Sequence, residues 1–156
     1  NQLSEDARKY FEIVCLAGKP ISRHVIQKAA TIQHPEPLIV AELRARNLIL
    51  IRQMDREHNI EVYHDRIREA VLKGISRDRR RALHCALAET LIFFNQGDPE
   101  QLAIHYFEAE RFGEALYYTI QAAELAEANL ALDHATFLYQ RADALRFLGK
   151  KPSDLD

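Results

Sequence analysis

The residues best placed to do chemistry lie in one string, Val62-Tyr63-His64-Asp65-Arg66-Ile67-Arg68-Glu69-Ala70. A strand-like end meets a helix-like start there, which fixes His64 at a corner from which its ring can point away from its own domain. An imidazole N–H so placed can donate to a phosphate oxygen. Asp65 is expected to cap the exposed N–H groups of the helix, with Ile67, Ala70 and Val71 facing inward. Other chemistries find no foothold. The seven histidines show neither HxxxH nor HExxH spacing, and Cys85 follows His84 directly, where neighbours on a helix point about 100° apart. No GxxxxGK[ST] string, kinase Gly-rich loop or HRD string is present. The chain therefore reads as non-enzymatic, with no metal site and no cofactor of its own.

A second cluster is cationic. Between Arg66 and Arg81 stand seven basic residues, Arg66, Arg68, Lys73, Arg77, Arg79, Arg80 and Arg81, against Glu69 and Asp78. Arginines in the first turn of a helix oppose its dipole at about 0.3 to 1 kcal/mol each, so they call for a compensating partner. That partner is an acidic face of the same chain, a neighbouring domain or a bound anion.

These residues need elements to position them. Ser4, acidic Glu5 and Asp6, and apolar residues from Ala7 to Cys15 predict a first helix that stops at Gly18 and Pro20. Ser22 is expected to cap a second helix through Ala29, and Pro35 and Pro37 to open a third through Ala45. Leu48 to Arg52 reads as a strand, Asp55 to Asn59 as a hairpin loop and Ile60 to Tyr63 as the returning strand. Three helices and a two-stranded hairpin are the order of a winged helix.

After His64 the chain resumes a helical period to Gly74, and Ser76 can cap a further helix. Gly97-Asp98-Pro99 is a break, beyond which an Ala-rich helical stretch runs to Leu148. Leu102-Ala103, Tyr106, Ala115 and Ala122 fall at tetratricopeptide-like offsets, where small residues let antiparallel helices approach. Tyr106, Tyr117 and Tyr118 are the candidate partner-binding aromatics. Ala135, Tyr139 and Ala142 echo the pattern 20 residues after Ala115 and Ala122, where a regular array gives about 34. The expected fold is mainly α: a winged-helix domain over 1–75, a tetratricopeptide-like antiparallel bundle over 76–149 and a frayed tail over 150–156.

That order, with Tyr63-His64-Asp65 at its hinge, resembles the region after the nucleotide-binding core of signal-transducing STAND ATPases. In related immune receptors a Met-His-Asp motif ends the winged-helix hairpin, and its His contacts the diphosphate of bound ADP. Tyr63 stands where that motif has Met. The strings from His64 to Ala70, Arg80 to His84, Leu102 to Tyr106 and Ala122 to Ala131 are also similar to regulatory regions of AAA-like ATPases. These occur in large bacterial serine/threonine kinases, adenylyl cyclases and transcriptional regulators. The resemblance implies a nucleotide-sensing role for His64 and Asp65, with ADP or ATP held on an upstream domain. Its implied partners are that domain, other domains of the same protein and a protein captured by the helical part.

Composition bounds the rest. With 156 residues, 47% hydrophobic and 28% charged, the chain suits one globular domain or two small ones. It starts at Asn1 without Met or a signal-peptide pattern, so it reads as an excised fragment. Cys15 and Cys85 lack CxxC spacing and read as buried free thiols, which suits a cytoplasmic setting. The longest apolar candidate, Leu48 to Ile51, falls far short of the roughly 18 to 20 residues that span a bilayer. The residues through Ser76 carry 12 basic and 10 acidic groups, those from Arg77 onward 9 and 13, for a net −2. A transcriptional DNA-binding winged helix is the alternative. It would read DNA with Arg44 and Arg46 alone, countered by Glu36 and Glu42, which argues against phosphate-driven binding.

Overall fold

The computed structural model describes residues 2–54 and 56–149. Among them the fold is mainly helical, with eight α-helices and one small antiparallel sheet. The chain divides into two compact units, Asn1–Thr90 and Leu91–Asp156.

In the first unit, α1 (Glu5–Ala17) is the central element and packs on α2 (Arg23–Ala30), α3 (Glu36–Ala45), α4 (Asp65–Gly74) and β3 (Glu57–Val62). Its Tyr10, Ile13, Val14 and Cys15 are fully buried, joined by Val25 and Ile26 of α2, Leu43 of α3 and Ile60 of β3. Ser4 caps α1 through the Ala7 N–H at 3.3 Å, and Gly18 ends it at φ 70°. A side chain at Gly18 would be strained in that left-handed conformation and would lie 3.0 Å from Arg68 Nη2.

The sheet holds three strands, in the order β1-β3-β2. β2 (Ile49–Met54) pairs with β3 through Ile49↔Val62, Ile51↔Ile60 and Met54↔Glu57. Two expectations change here. The polar stretch read as a loop from Asp55 to Asn59 is mostly strand, because Glu57, His58 and Asn59 pair with Met54, Gln53 and Arg52. The turn shrinks accordingly and contains Arg56 at φ 73°, while Asp55 lies outside the described residues. The additional strand, β1 (Ile21–Ser22), adds to β3 by Ile21↔Ile60 and Ser22↔Asn59. Ser22 thus spends its backbone on the sheet, and its buried hydroxyl makes no cap to α2.

α5 (Arg77–Phe93) contains the division between the units, with the Ser76 hydroxyl reaching the Arg79 N–H at 3.4 Å. In the second unit, α6 (Pro99–Glu108), α7 (Phe112–Ala128) and α8 (Leu132–Leu148) follow one another through three-residue turns, and α7 packs on both neighbours. Asp98 caps α6, accepting from the Gln101 N–H at 2.9 Å, with Pro99 at its start. One buried cluster joins Ala122, Ala123 and Ala126 of α7 to Ala135 and Leu138 of α8, and its four alanines are small enough to bring the backbones close.

The 20-residue echo is one helix plus its turn, since α7 starts at Phe112 and α8 at Leu132. The longer spacing joins α6 to α8. Glu100 Oε2 meets His134 Nε2 at 2.9 Å and the Arg141 guanidinium lies 5.5 Å from the Phe107 ring centre, both pairs 34 residues apart. The expected frayed tail, 150–156, lies outside the described residues.

Candidate functional site

The corner at His64 is built from the end of β3. After Val62, Tyr63 donates its N–H to the Leu48 carbonyl at 2.9 Å, which keeps the chain extended for one more residue. His64 is still extended, at φ −140° and ψ 134°, and its carbonyl takes the N–H groups of Ile67 and Arg68 at 3.0 and 3.3 Å. It is therefore the N-cap of α4 by backbone alone, with no side-chain cap. This corrects the role expected of Asp65, which is the first helical residue rather than the cap. Its carboxylate still favours the positive end of the helix.

The His64 ring is exposed and meets the Tyr63 ring edge-on at 4.4 Å between centres. Tyr63, Asp65 and Arg66 are exposed beside it, so four chemically distinct side chains share one accessible corner. α4 buries no residue fully, and Ala70, expected to face inward, is exposed, while Ile67 and Val71 are half-buried.

The cationic cluster is split by its surroundings. Arg68 turns inward and donates Nε to the Cys15 carbonyl at 2.7 Å. Arg79 places Nε and Nη2 at 2.8 and 2.6 Å from Glu12 Oε2, a carboxylate on buried α1. Arg80 bonds the Leu72 carbonyl, and its Nε is buried without a partner. Arg81 lies 4.0 Å from Asp78. Arg66 and Arg77 are exposed.

The tyrosines also divide. Tyr106 is 6% exposed and stacks on Tyr118 at 5.7 Å, which makes it packing material between α6 and α7. Tyr118 is half-buried, and Tyr117 is 58% exposed. At one end of the α7–α8 pair, Phe112, Leu116, Leu145 and Phe147 line an open groove of about 660 Å³, edged by the Asp143–Arg146 ion pair.

Polar groups missed in the sequence lie deeper. Glu36 is buried and accepts from Tyr10 Oη at 2.7 Å and from Arg23 through Nε at 2.8 Å and Nη2. Burial pushes its carboxyl up, but the bonds from Arg23 and Tyr10 outweigh this and hold it below the usual carboxylate range. Burial, then the Glu36 bond, raises the Tyr10 hydroxyl well above its ordinary value. Asp6 accepts from His34 Nδ1 at 2.6 Å and from the His34 and Gln33 N–H groups at 2.8 and 3.0 Å. The bonds from His34 bring it down to about 2. Each network joins residues 13 or more positions apart, which no local pattern signals.

Neither free cysteine is bridged. Cys15 is buried, which pushes its thiol up to about 12, whereas Cys85, expected buried, is only half-buried with Sγ 3.5 Å from Glu89 Oε1. Among the described residues no group of His, Cys, Asp and Glu could hold a metal ion, and no helix is long and apolar enough to cross a membrane. The chain matches no known family model, no curated protein and no solved structure.

Proposed function

We propose that this chain is a regulatory and interaction region of a multidomain signalling ATPase or kinase, performing no catalysis itself. The first unit acts as a winged helix that packs on a nucleotide-binding domain upstream, and the second as a tetratricopeptide-like partner-binding module. The setting is cytoplasmic, and the nucleotide is held on the upstream domain.

The observation that carries the reading is the exposed His64 ring at the β3–α4 corner, steadied by Tyr63 and unused by its own helix. A donor presented at an exposed edge, with no side-chain role in capping its own helix, suits a contact to a diphosphate on an adjoining domain. Supporting the winged-helix reading is the order α1-β1-α2-α3-β2-β3 with β1 added to β3. Supporting the repeat reading are the two α6–α8 pairs at a separation of 34 residues, the tetratricopeptide period. Loss of the diphosphate contact on nucleotide exchange would shift the population of packed and released states.

The test uses the parent protein with its ATPase present. His64→Ala should weaken ADP retention or raise basal signalling without disturbing the fold, since the ring is exposed. Unchanged ADP affinity together with unchanged signalling would remove the sensor role. For the DNA-binding alternative α3 offers exposed Arg44, whereas Arg46 is tied to Glu42 and the Gln2 carbonyl and Arg52 of β2 is paired with Glu61, which leaves too few cations for phosphate-driven binding.

A further inference from the structure

Alone among the eight described helices, α4 buries no residue fully. Ile67, Arg68, Val71 and Leu72 are half-buried where it packs on α1 and β3, and its other residues are exposed. The α1 helix beneath it buries ten of its thirteen residues. A helix so thinly covered is where local opening of a folded unit starts. At ten residues it is also too short to keep its shape alone in water, so detaching and unravelling are one event.

The polar contact that fastens α4 is Arg68. The last turn of α1 has no basic residue, so its final carbonyls, the negative end of the helix dipole, get no cation from their own helix. Arg68 supplies one from 53 positions away, donating Nε to the Cys15 carbonyl at 2.7 Å. Gly18, which closes α1, has no side chain to obstruct it, and a Cβ there would stand 3.0 Å from Nη2. The two ends of α4 are tied separately. Before it, the Tyr63 N–H holds the Leu48 carbonyl; after it, Ile75 is buried and Arg80 reaches back to the Leu72 carbonyl.

We propose that α4 is a releasable strap: the bond from Arg68 to Cys15 fastens it to α1, and breaking that bond lets α4 detach and unravel while the rest of the first unit stays folded. His64 is the N-cap of α4, so a contact that its exposed ring makes only with α4 in place holds the strap down. That coupling rests on reading His64 as the diphosphate sensor, whereas the strap itself does not.

Amide hydrogen exchange of the full chain reads the opening. After correction for intrinsic rates, Glu69 to Lys73 of α4 should exchange roughly 100-fold faster than Tyr10 to Cys15 of α1. Their exchange should also rise less steeply in dilute urea, because a local opening exposes little surface. Arg68→Met, which keeps the stem but loses the bond and the charge, should speed exchange in α4 roughly tenfold or more and leave α1 unchanged. Arg68→Lys, which keeps a charge without Nε, should fall between, and Glu69→Gln, an exposed neighbour, should change neither helix. Equal protection and equal urea slope in α4 and α1 overturn the proposal. So does a loss in Arg68→Met that both helices share, or an equal effect from Glu69→Gln. Fast exchange in α4, joined to an unchanged ADP affinity of the parent protein in His64→Ala, supports the strap and removes the sensor. An α4 as protected as α1 overturns the strap and leaves the sensor untouched.

Discussion

Glu36 is a carboxylate that water does not reach, answered by a guanidinium and a phenol from two other helices. Removing Glu36 leaves the buried Tyr10 hydroxyl and the half-buried Arg23 guanidinium without their acceptor, which outweighs any packing lost with the side chain itself. Glu36→Ala should therefore lower stability by about 3 kcal/mol, read as a reduced urea midpoint with an unchanged slope. Asp6 acts through pH. Its folded value, about 2, lies below that of the unfolded chain, so its contribution is complete above about pH 4 and is lost as pH falls toward 2. Asp6→Asn should flatten that part of the acid-unfolding curve, and a mutant whose curve keeps the wild-type steepness would remove this role. The thiols provide a third reading. Cys15, buried with its thiol raised to about 12, stays protonated at neutral pH, while half-buried Cys85 does not share that shelter. A thiol reagent should label Cys85 first and Cys15 only at the rate of opening. His64 and the arginine run stand out in the chain because their types cluster locally. Glu36 does not, because Pro35 and Pro37 make it look like a loop residue and its partners come from elsewhere.

Caps show how far local pattern reaches at the scale of elements. Ser4 and Ser22 both precede a helix, and by residue type they are equivalent. Ser4 caps α1 and also donates to Glu42 Oε2 at 2.6 Å, whereas Ser22 sits in β1 with an unpartnered hydroxyl. Ser4→Ala should cost about 1 kcal/mol in denaturant melts and Ser22→Ala should stay within about 0.5 kcal/mol of zero. The difference turns on the pairing of Ile21 with Ile60, a contact across 39 positions made by a two-residue strand that no alternation could betray. The helices of the second unit are legible in the sequence because their spacing is carried by small residues on the chain itself. Twenty positions separate the starts of α7 and α8, and 34 separate the paired residues of α6 and α8. Leu130→Gly should raise the thermal midpoint of the α7–α8 pair, since glycine adopts the left-handed turn without the roughly 1 kcal/mol penalty of a branched side chain.

Over the whole molecule, charge and architecture divide near the same place. The first 90 residues carry sixteen basic and twelve acidic side chains, and the remaining 66 carry five and eleven. The sequence places this change at Ser76, on the shift in charge after it and the Gly97-Asp98-Pro99 break beyond. One bond ties the start of α5 to the first unit: Arg79 reaches back 67 positions to Glu12, whose side chain is only 9% exposed. Cutting before Arg77 would strand that carboxylate on a buried face of α1 with no cation to answer it. A chain ending at Ile75 should accordingly be less stable than one ending at Thr90 by about 2 kcal/mol, discounted from a fully buried pair because Arg79 is itself 40% exposed. Part of that loss should be recovered by Glu12→Gln in the shorter chain, which removes the stranded charge, and the same substitution should destabilise the longer one. Equal urea midpoints for the two chains would mean that α5 adds nothing to the unit it follows.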